Sequence, residues 1–434
     1  MNMMRLGQIL FVGLCLLPGV GRASQMDFHL NNGMRVILVE DHHAPVVSYV
    51  LVYASGSIDD PAGKTGLAHF TEHLVLTRTG EAATRYQLAV ERCGGVFNAS
   101  TGHDAIRFYA TVPAANLLEV LSYEAERMKA PRFTVEGLET ERNVVEQERA
   151  QGHEDRPYGL AEDYLDEMAA SREAYRHPVI GYPRDIKAYT YEDASHFVER
   201  HYLPKNATLV LVGDIAAVEV ASQLRRLFGG IAGGEGSRAE RVVRQFDGHG
   251  DYTTNENRAK RPRLYITFPL PPRSSRDAAA VMLLDNILVQ GPHARLRQAL
   301  VESDLAIALS SDFEFRRDGG LYYLIVTLRN EKDAEVAKQA IEKIVQEIVT
   351  QGVAEPVLHR SRLALRADQA IKAESSMYRA TQIGLGTAIF SDPSILEHLR
   401  SYQEQITSAE LSAAAARYFD GKHRVTLVAQ PVYR

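Results

Sequence analysis

The sequence predicts an α+β protein made of two halves of one architecture, each a mostly antiparallel sheet with helices packed on one face. Three observations carry this. Each half opens on β-branched runs broken by turn residues and continues into helical stretches. Each closes on a similar strand, NATLVLVGD at 206–214 and HRVTLVAQP at 423–431. Between them lies GGIAGGEGS, residues 229–237, whose glycine density suits a linker and not a packed element. The order of elements repeats more clearly than the residues do.

The elements follow in order. From Met26, MDFHLNNGMRVILVEDHHAPVVSYVLVYASGS reads as a strand, a turn at Asn31, Asn32 and Gly33, a second strand and a longer third one. A helix containing GLAHFTEHLVLTRTG, residues 66–80, comes next. A helix near 82–93, strands near 95–100 and 105–111, and several helices from Pro113 to about His201 lead to the strand at 207–214 and the helix AAVEVASQLRRLF. The second half runs through the strand RLYITFPL, the helix DAAAVMLLDNILV, strands near 305–313 and 320–328, and further helices to its closing strand. In FPLPPRSS, residues 268–275, Pro272 and the serines break the chain and cap the helix that follows.

The first 23 residues have the form of a secretory signal: Arg5, an apolar run to Val20, then small residues ending at Ala23. The run is short for a membrane span, no later stretch approaches that length, and Leu14 is too bulky for a lipoprotein site at Cys15. The expected divisions are thus 1–23 signal, 24–228 first domain, 229–254 linker and 255–434 second domain, with a periplasmic or secreted destination. Loss of Arg5 and Arg22 with the signal takes the formal charge two units below −6, to −8, which argues against nucleic acid as a partner. Cys93 is then the remaining cysteine, so stability has to come from two buried cores without an internal disulfide.

Chemistry concentrates in HFTEH. Residues four apart on a helix share a face, so His69 and His73 can turn two imidazoles to one ion, with Glu72 on the flank to take a proton from water. The order inverts the H-E-x-x-H arrangement. A third ligand is sought in ETERNVVEQERAQ, residues 139–151, where Glu141 and Glu148 stand two helical turns apart. One can bind the metal while the other holds a ligand histidine through its second nitrogen. Against this stands the plain alternative of an acidic helix surface. His42 and His43 read as solvated loop residues, His103 and Asp104 as cleft or turn residues, Tyr53 and Tyr109 as sheet residues, and Cys93 as an inert thiol.

Across nearly the whole chain the sequence resembles the pitrilysin and insulinase zinc peptidases, in the branch of the two-subunit bacterial and mitochondrial processing peptidases. The resemblance is carried by NNGMRVILVEDHHAPVVS, GLAHFTEH, GGVFNASTGHDAIRFYATVP, ERNVVEQE and HYLPKNATLVLVGD. It implies a processing-peptidase-like fold and one zinc per chain. Glu148 would be the third ligand, Glu141 its supporting neighbour, and Glu72 the base that takes a proton from water and passes it to the leaving amine. Asn98, with Ala99 and Thr101, would lie along an edge strand that binds extended peptides.

One departure stands out. Family members with a complete site carry, in the second half, an arginine and a tyrosine seven positions on. Leu300 and Ile307 occupy those places here, and neither can donate a hydrogen bond. Either a homologous partner chain brings the Arg/Tyr pair in a heterodimer, or the chain is a peptide-binding or assembly protein whose zinc is structural or vestigial. An intact Glu72 favours the first.

Overall fold

Valine, isoleucine, leucine and tyrosine dominate residues 35–53 and 207–213, and these runs form the centre of the first sheet in the computed structural model. The structure describes residues 25–77, 80–129, 133–170, 173–234, 248–291 and 293–432, so the expected signal and the middle of the expected linker lie outside the described residues. Strands β1 (Gln25–His29), β2 (Arg35–Glu40), β3 (Val46–Tyr53), β4 (Val96–Thr101), β5 (Ile106–Pro113) and β6 (Ala207–Gly213) are arranged β1-β2-β6-β3-β5-β4. Every pairing is antiparallel except β2 with β6. β6 is buried along its whole length, as a central strand covered on both faces must be.

The second sheet contains β7 (Gly250–Glu256), β8 (Arg263–Leu270), β9 (Ala306–Glu314), β10 (Gly320–Leu328) and β11 (Val425–Pro431), arranged β7-β11-β8-β10-β9. Read against the first sheet, β7, β11, β8, β10 and β9 take the places of β2, β6, β3, β5 and β4. The parallel pair falls at the same position, β7 with β11. The repeat expected from element order is present, and both sheets end in a strand with one neighbour, β4 and β9. One boundary needs correction. The expected linker ran to residue 254, but Gly250–Glu256 is paired along β11. The polar segment GDYTTNE carries no apolar alternation to mark it as a strand, because it is an edge with its side chains mostly exposed.

Helices α1 (Leu67–Leu76), α2 (Glu81–Arg92), α3 (Leu117–Lys129), α4 (Val135–Arg149), α5 (Gly159–Ala169), α6 (Pro183–Lys187), α7 (Tyr191–His201) and α8 (Ala217–Phe228) belong to the first half. The second half has α9 (Arg276–Asp285), α10 (Asp333–Gln351), α11 (Glu355–Ala373), α12 (Ser376–Phe390), α13 (Ile395–Gln405) and α14 (Ser408–Tyr418). Ser275 caps α9 by accepting a hydrogen bond from the Ala278 amide at 3.1 Å.

The halves exchange helices, which no local pattern along the chain announces. α12 lies across the far face of the first sheet, where Ala380 and Ala388 pack with Ile37, Val39, Val50, Val52, Val210 and Val212. A Cβ on Gly384 would come within 2.9 Å of the Val52 side chain, so a bare backbone lets the helix approach the strands. A hydrogen bond of 2.8 Å between Ser48 and Ser376 and an ion pair between Asp41 and Arg379 fix its N-terminal turn. In return α5, with Tyr158 just before it, covers the second sheet: Tyr158, Ala161 and Leu165 pack on Tyr265, Leu427 and Ala429.

Candidate metal centre

α1 begins at a place only glycine fits. Gly66 has φ 88°, and a Cβ there would lie 2.3 Å from the Ile180 carbonyl oxygen. The buried Asp60 carboxylate closes this end by accepting from the amides of Gly66 (2.7 Å) and Ala68 (2.8 Å). Leu67, Phe70 and Leu74 turn into the core, which leaves His69, Glu72 and His73 on the side towards α4 and β4. α4 starts at Thr134, whose hydroxyl accepts from the Gly137 amide at 2.9 Å. It is held from behind by Arg142, which donates to the Tyr189 carbonyl (2.8 Å), and by Val145 in the core.

These two helices bring together the residues singled out in the sequence. Nε2 of His69 and Nε2 of His73 lie 3.7 and 3.3 Å from the same Glu148 oxygen. Ligands about 2.0–2.1 Å from a tetrahedral zinc are separated from one another by about 3.3–3.4 Å, so each imidazole already sits close to that spacing from Glu148. Glu141, buried on the same face of α4, lies 3.2 Å from His73 Nδ1. That contact can hold a proton on Nδ1 and leaves Nε2 turned to Glu148. In position, Glu148 converges with both imidazoles and Glu141 stands behind His73.

The electrostatics suit a cation. Burial, helped by neighbouring His73, drives the His69 imidazole down to about 4, so it is neutral and has a lone pair to offer. Burial also opposes charge on His73, but the carboxylates of Glu141 and Glu148 outweigh it and raise the group to about 9. The hydrogen bond from His73 holds Glu148 below the usual carboxylate range. A histidine proton has to leave before a metal can bind, so uptake is linked to pH. Below about pH 9 the metal-free chain keeps that proton, and apparent zinc affinity should fall about tenfold for each unit of acidification through neutrality. Competition with a chromophoric chelator at several pH values measures this, and a flat profile would contradict the assignment.

The donors line a cleft of about 610 Å³ together with Leu76, Asn98, Ser100, Val144 and Gln147. β4 forms one wall and pairs only with β5, so one edge of it is free of any strand among the described residues. Asn98 and Ala99 lie on this wall, and the Asn98 side chain accepts a hydrogen bond from the Ala99 amide at 2.8 Å. Thr101 also lines the cleft, and its hydroxyl donates to Glu72 Oε2 at 2.6 Å.

Other expectations resolve more plainly. His42 and His43 are exposed and pair with Asp214 and Asp41, away from the cleft. His103 and Asp104 are buried where the halves meet. His103, Asp166 and Glu314 form a second trio of possible ligands, but Arg316 reaches Asp166 at 2.5 Å and Glu314 at 2.8 Å. A guanidinium already neutralises these carboxylates, so the trio is an ion-pair knot across the junction. Nothing in the local sequence signalled it, since its members come from three separate segments. Leu300 is wholly buried in the second core and Ile307 lies 46 % exposed on β9.

Comparison with known proteins gives a consistent picture. Residues 35–182 match the family model "Insulinase (Peptidase family M16)" and residues 188–365 match "Peptidase M16 inactive domain". The zinc protease PqqE of Helicobacter pylori is 25 % identical over 418 residues, covering 93 % of this chain and 92 % of that protein. A probable mitochondrial-processing peptidase subunit beta of Arabidopsis thaliana is 25 % identical over 202 residues, 46 % of this chain and 38 % of that one. The crystal structure of a protease from Helicobacter pylori superposes with a TM-score of 0.87 at 23 % identity, over 94 % of this chain and 100 % of the other.

Proposed function

The chain belongs to peptidase family M16, the insulinase family, and on that premise we propose that it is a zinc-dependent endopeptidase acting on extended peptides, with one metal held by His69, His73 and Glu148. The observation that carries this reading is the convergence of both Nε2 atoms on one Glu148 oxygen, with Glu72 beside them in a cleft bounded by a free strand edge. Zinc at this position would act as a Lewis acid and lower the pKa of a water towards neutrality.

The chain's own groups do the rest. The open edge of β4 takes the peptide as an added strand through main-chain hydrogen bonds, which places little demand on sequence and excludes folded segments. Asn98 has to exchange its internal contact with Ala99 for the incoming backbone. Glu72, with burial pushing its carboxyl up against the pull of the Thr101 hydrogen bond, receives the proton of the attacking water and delivers it to the departing amine. Glu141 keeps His73 in register.

What this reading lacks is a donor for the developing oxyanion, a large term in a dry site. Leu300 and Ile307 cannot fill it, so we assign that duty to a homologous partner chain bearing an arginine and a tyrosine. The word subunit in the name of the plant relative accords with such a pairing. A leader-like segment at 1–23 supports export, and no helix among the described residues is long and apolar enough to cross a membrane. The purified chain should bind zinc yet cleave unfolded peptides poorly until a co-purifying homologue is added, which should raise kcat/KM at least about 100-fold. Full activity alone would remove the partner from the scheme. Inactivity of the zinc-loaded pair would favour the second reading, a peptide-binding protein, to which the two apolar substitutions also point.

A further inference from the structure

We propose that Thr101 is a positioning residue for Glu72, so that the strand expected to carry the peptide also aims the base. The inference rests on Glu72 as base. The Thr101 hydroxyl makes the one hydrogen bond to the Glu72 carboxylate among the described residues, at 2.6 Å to Oε2. Glu72 is buried, so a single donor fixes which oxygen stays inward and leaves Oε1 for the cleft.

The donor itself is held firmly. Thr101 is the last rung of the β4–β5 pairing, opposite Ile106, and its β-branched side chain has few rotamers. The turn that follows closes through the Gly102 amide to the Ala105 carbonyl at 2.9 Å. From behind, Ser57 and Ile58 donate their amides to the carbonyls of Gly102 and His103 at 3.2 and 3.0 Å. Gly56 lies so close to this turn that a Cβ would meet the Gly102 carbonyl oxygen at 2.3 Å. A rigid hydroxyl on a strand edge is the kind of support a catalytic carboxylate needs.

The second half offers an internal comparison. There Ser311 of β9 donates to Asp285 of α9 at 2.5 Å, the corresponding link between a helix and the terminal strand. Asp285 also accepts from the Tyr322 hydroxyl at 2.7 Å, and no histidine accompanies it on α9. Two donors converge on one oxygen of a carboxylate that burial pushes up to about 6. That pair only ties helix to sheet. At Glu72 the same tie has a single donor and opens on the metal donors.

The experiment compares Thr101→Val and Thr101→Ser with the parent in whichever form hydrolyses peptide, the chain or its pair. Thr101→Val should lower kcat about 10–100-fold with KM within about threefold, one zinc retained and an unchanged Tm, while Thr101→Ser keeps most of the rate. A crystal structure of Thr101→Val should show the Glu72 carboxylate swung from its parental direction. An unmoved carboxylate, a parental kcat in Thr101→Val, or equal losses in both variants overturns the inference. If Thr101→Val is fully active while Glu72→Gln is dead, only this inference falls. If Glu72→Gln is also fully active, the assignment of Glu72 as base falls with it.

Discussion

Glu72→Gln should leave one zinc per chain in place and remove peptide hydrolysis by about 10²–10⁴-fold, the range a positioned general base contributes. The substitution is nearly isosteric, and an amide oxygen can still accept from the Thr101 hydroxyl, so the link to β4 survives. What it loses is the capacity to take a proton. The three donors proposed for the metal are other residues, and the contacts His69–Glu148 and His73–Glu148 do not involve Glu72. Metal analysis beside a rate measurement on an unfolded peptide separates the outcomes. Parental turnover with zinc bound would mean that another group takes the proton, and loss of zinc with the rate would make Glu72 part of the metal's support.

Glu148→Gln should abolish high-affinity zinc binding and activity together, and should do so more severely than Glu141→Gln. The first change removes an anionic donor and leaves two imidazoles, while the second weakens the hold on His73 and should cost about 10–100-fold in affinity. Stability gives a second contrast. The Glu148 side chain is 50 % exposed, so its loss scarcely disturbs folding, whereas Glu141 is buried and its neutral replacement lowers Tm. Zinc titration of both variants with thermal melts would check the order. A Glu148→Gln protein that holds zinc normally, beside a Glu141→Gln protein that does not, would reverse the two roles.

Much of the architecture was legible because its signals are local. The runs VVSYVLVY and ATLVLVG announce buried strands by composition, and the spacing of His69 and His73 announces one helical face by arithmetic. Glu148 was reachable through helical periodicity, though its choice over Glu141 came from a family likeness, since seven residues on a helix place both on one side. What escaped was long-range. β7 is polar and becomes a strand only because β11 offers it an edge. Thr101 looked like a cleft residue, and its contact with Glu72, 29 positions away in sequence, depends on how β4 meets α1. The knot of His103, Asp166, Glu314 and Arg316 joins residues from both halves, and no pattern along the chain announces such a meeting.

The mutual covering by α5 and α12 bears on how a peptide gains admission. For the two sheets of one molecule to swing apart, α12 would have to peel from Val50, Val52 and Val210 while α5 left Tyr265 and Leu427, wetting two apolar faces at once. Opening the two sheets like a clamshell would therefore expose both of these apolar faces. A peptide that reaches the proposed centre without such opening would come along the rim at β4.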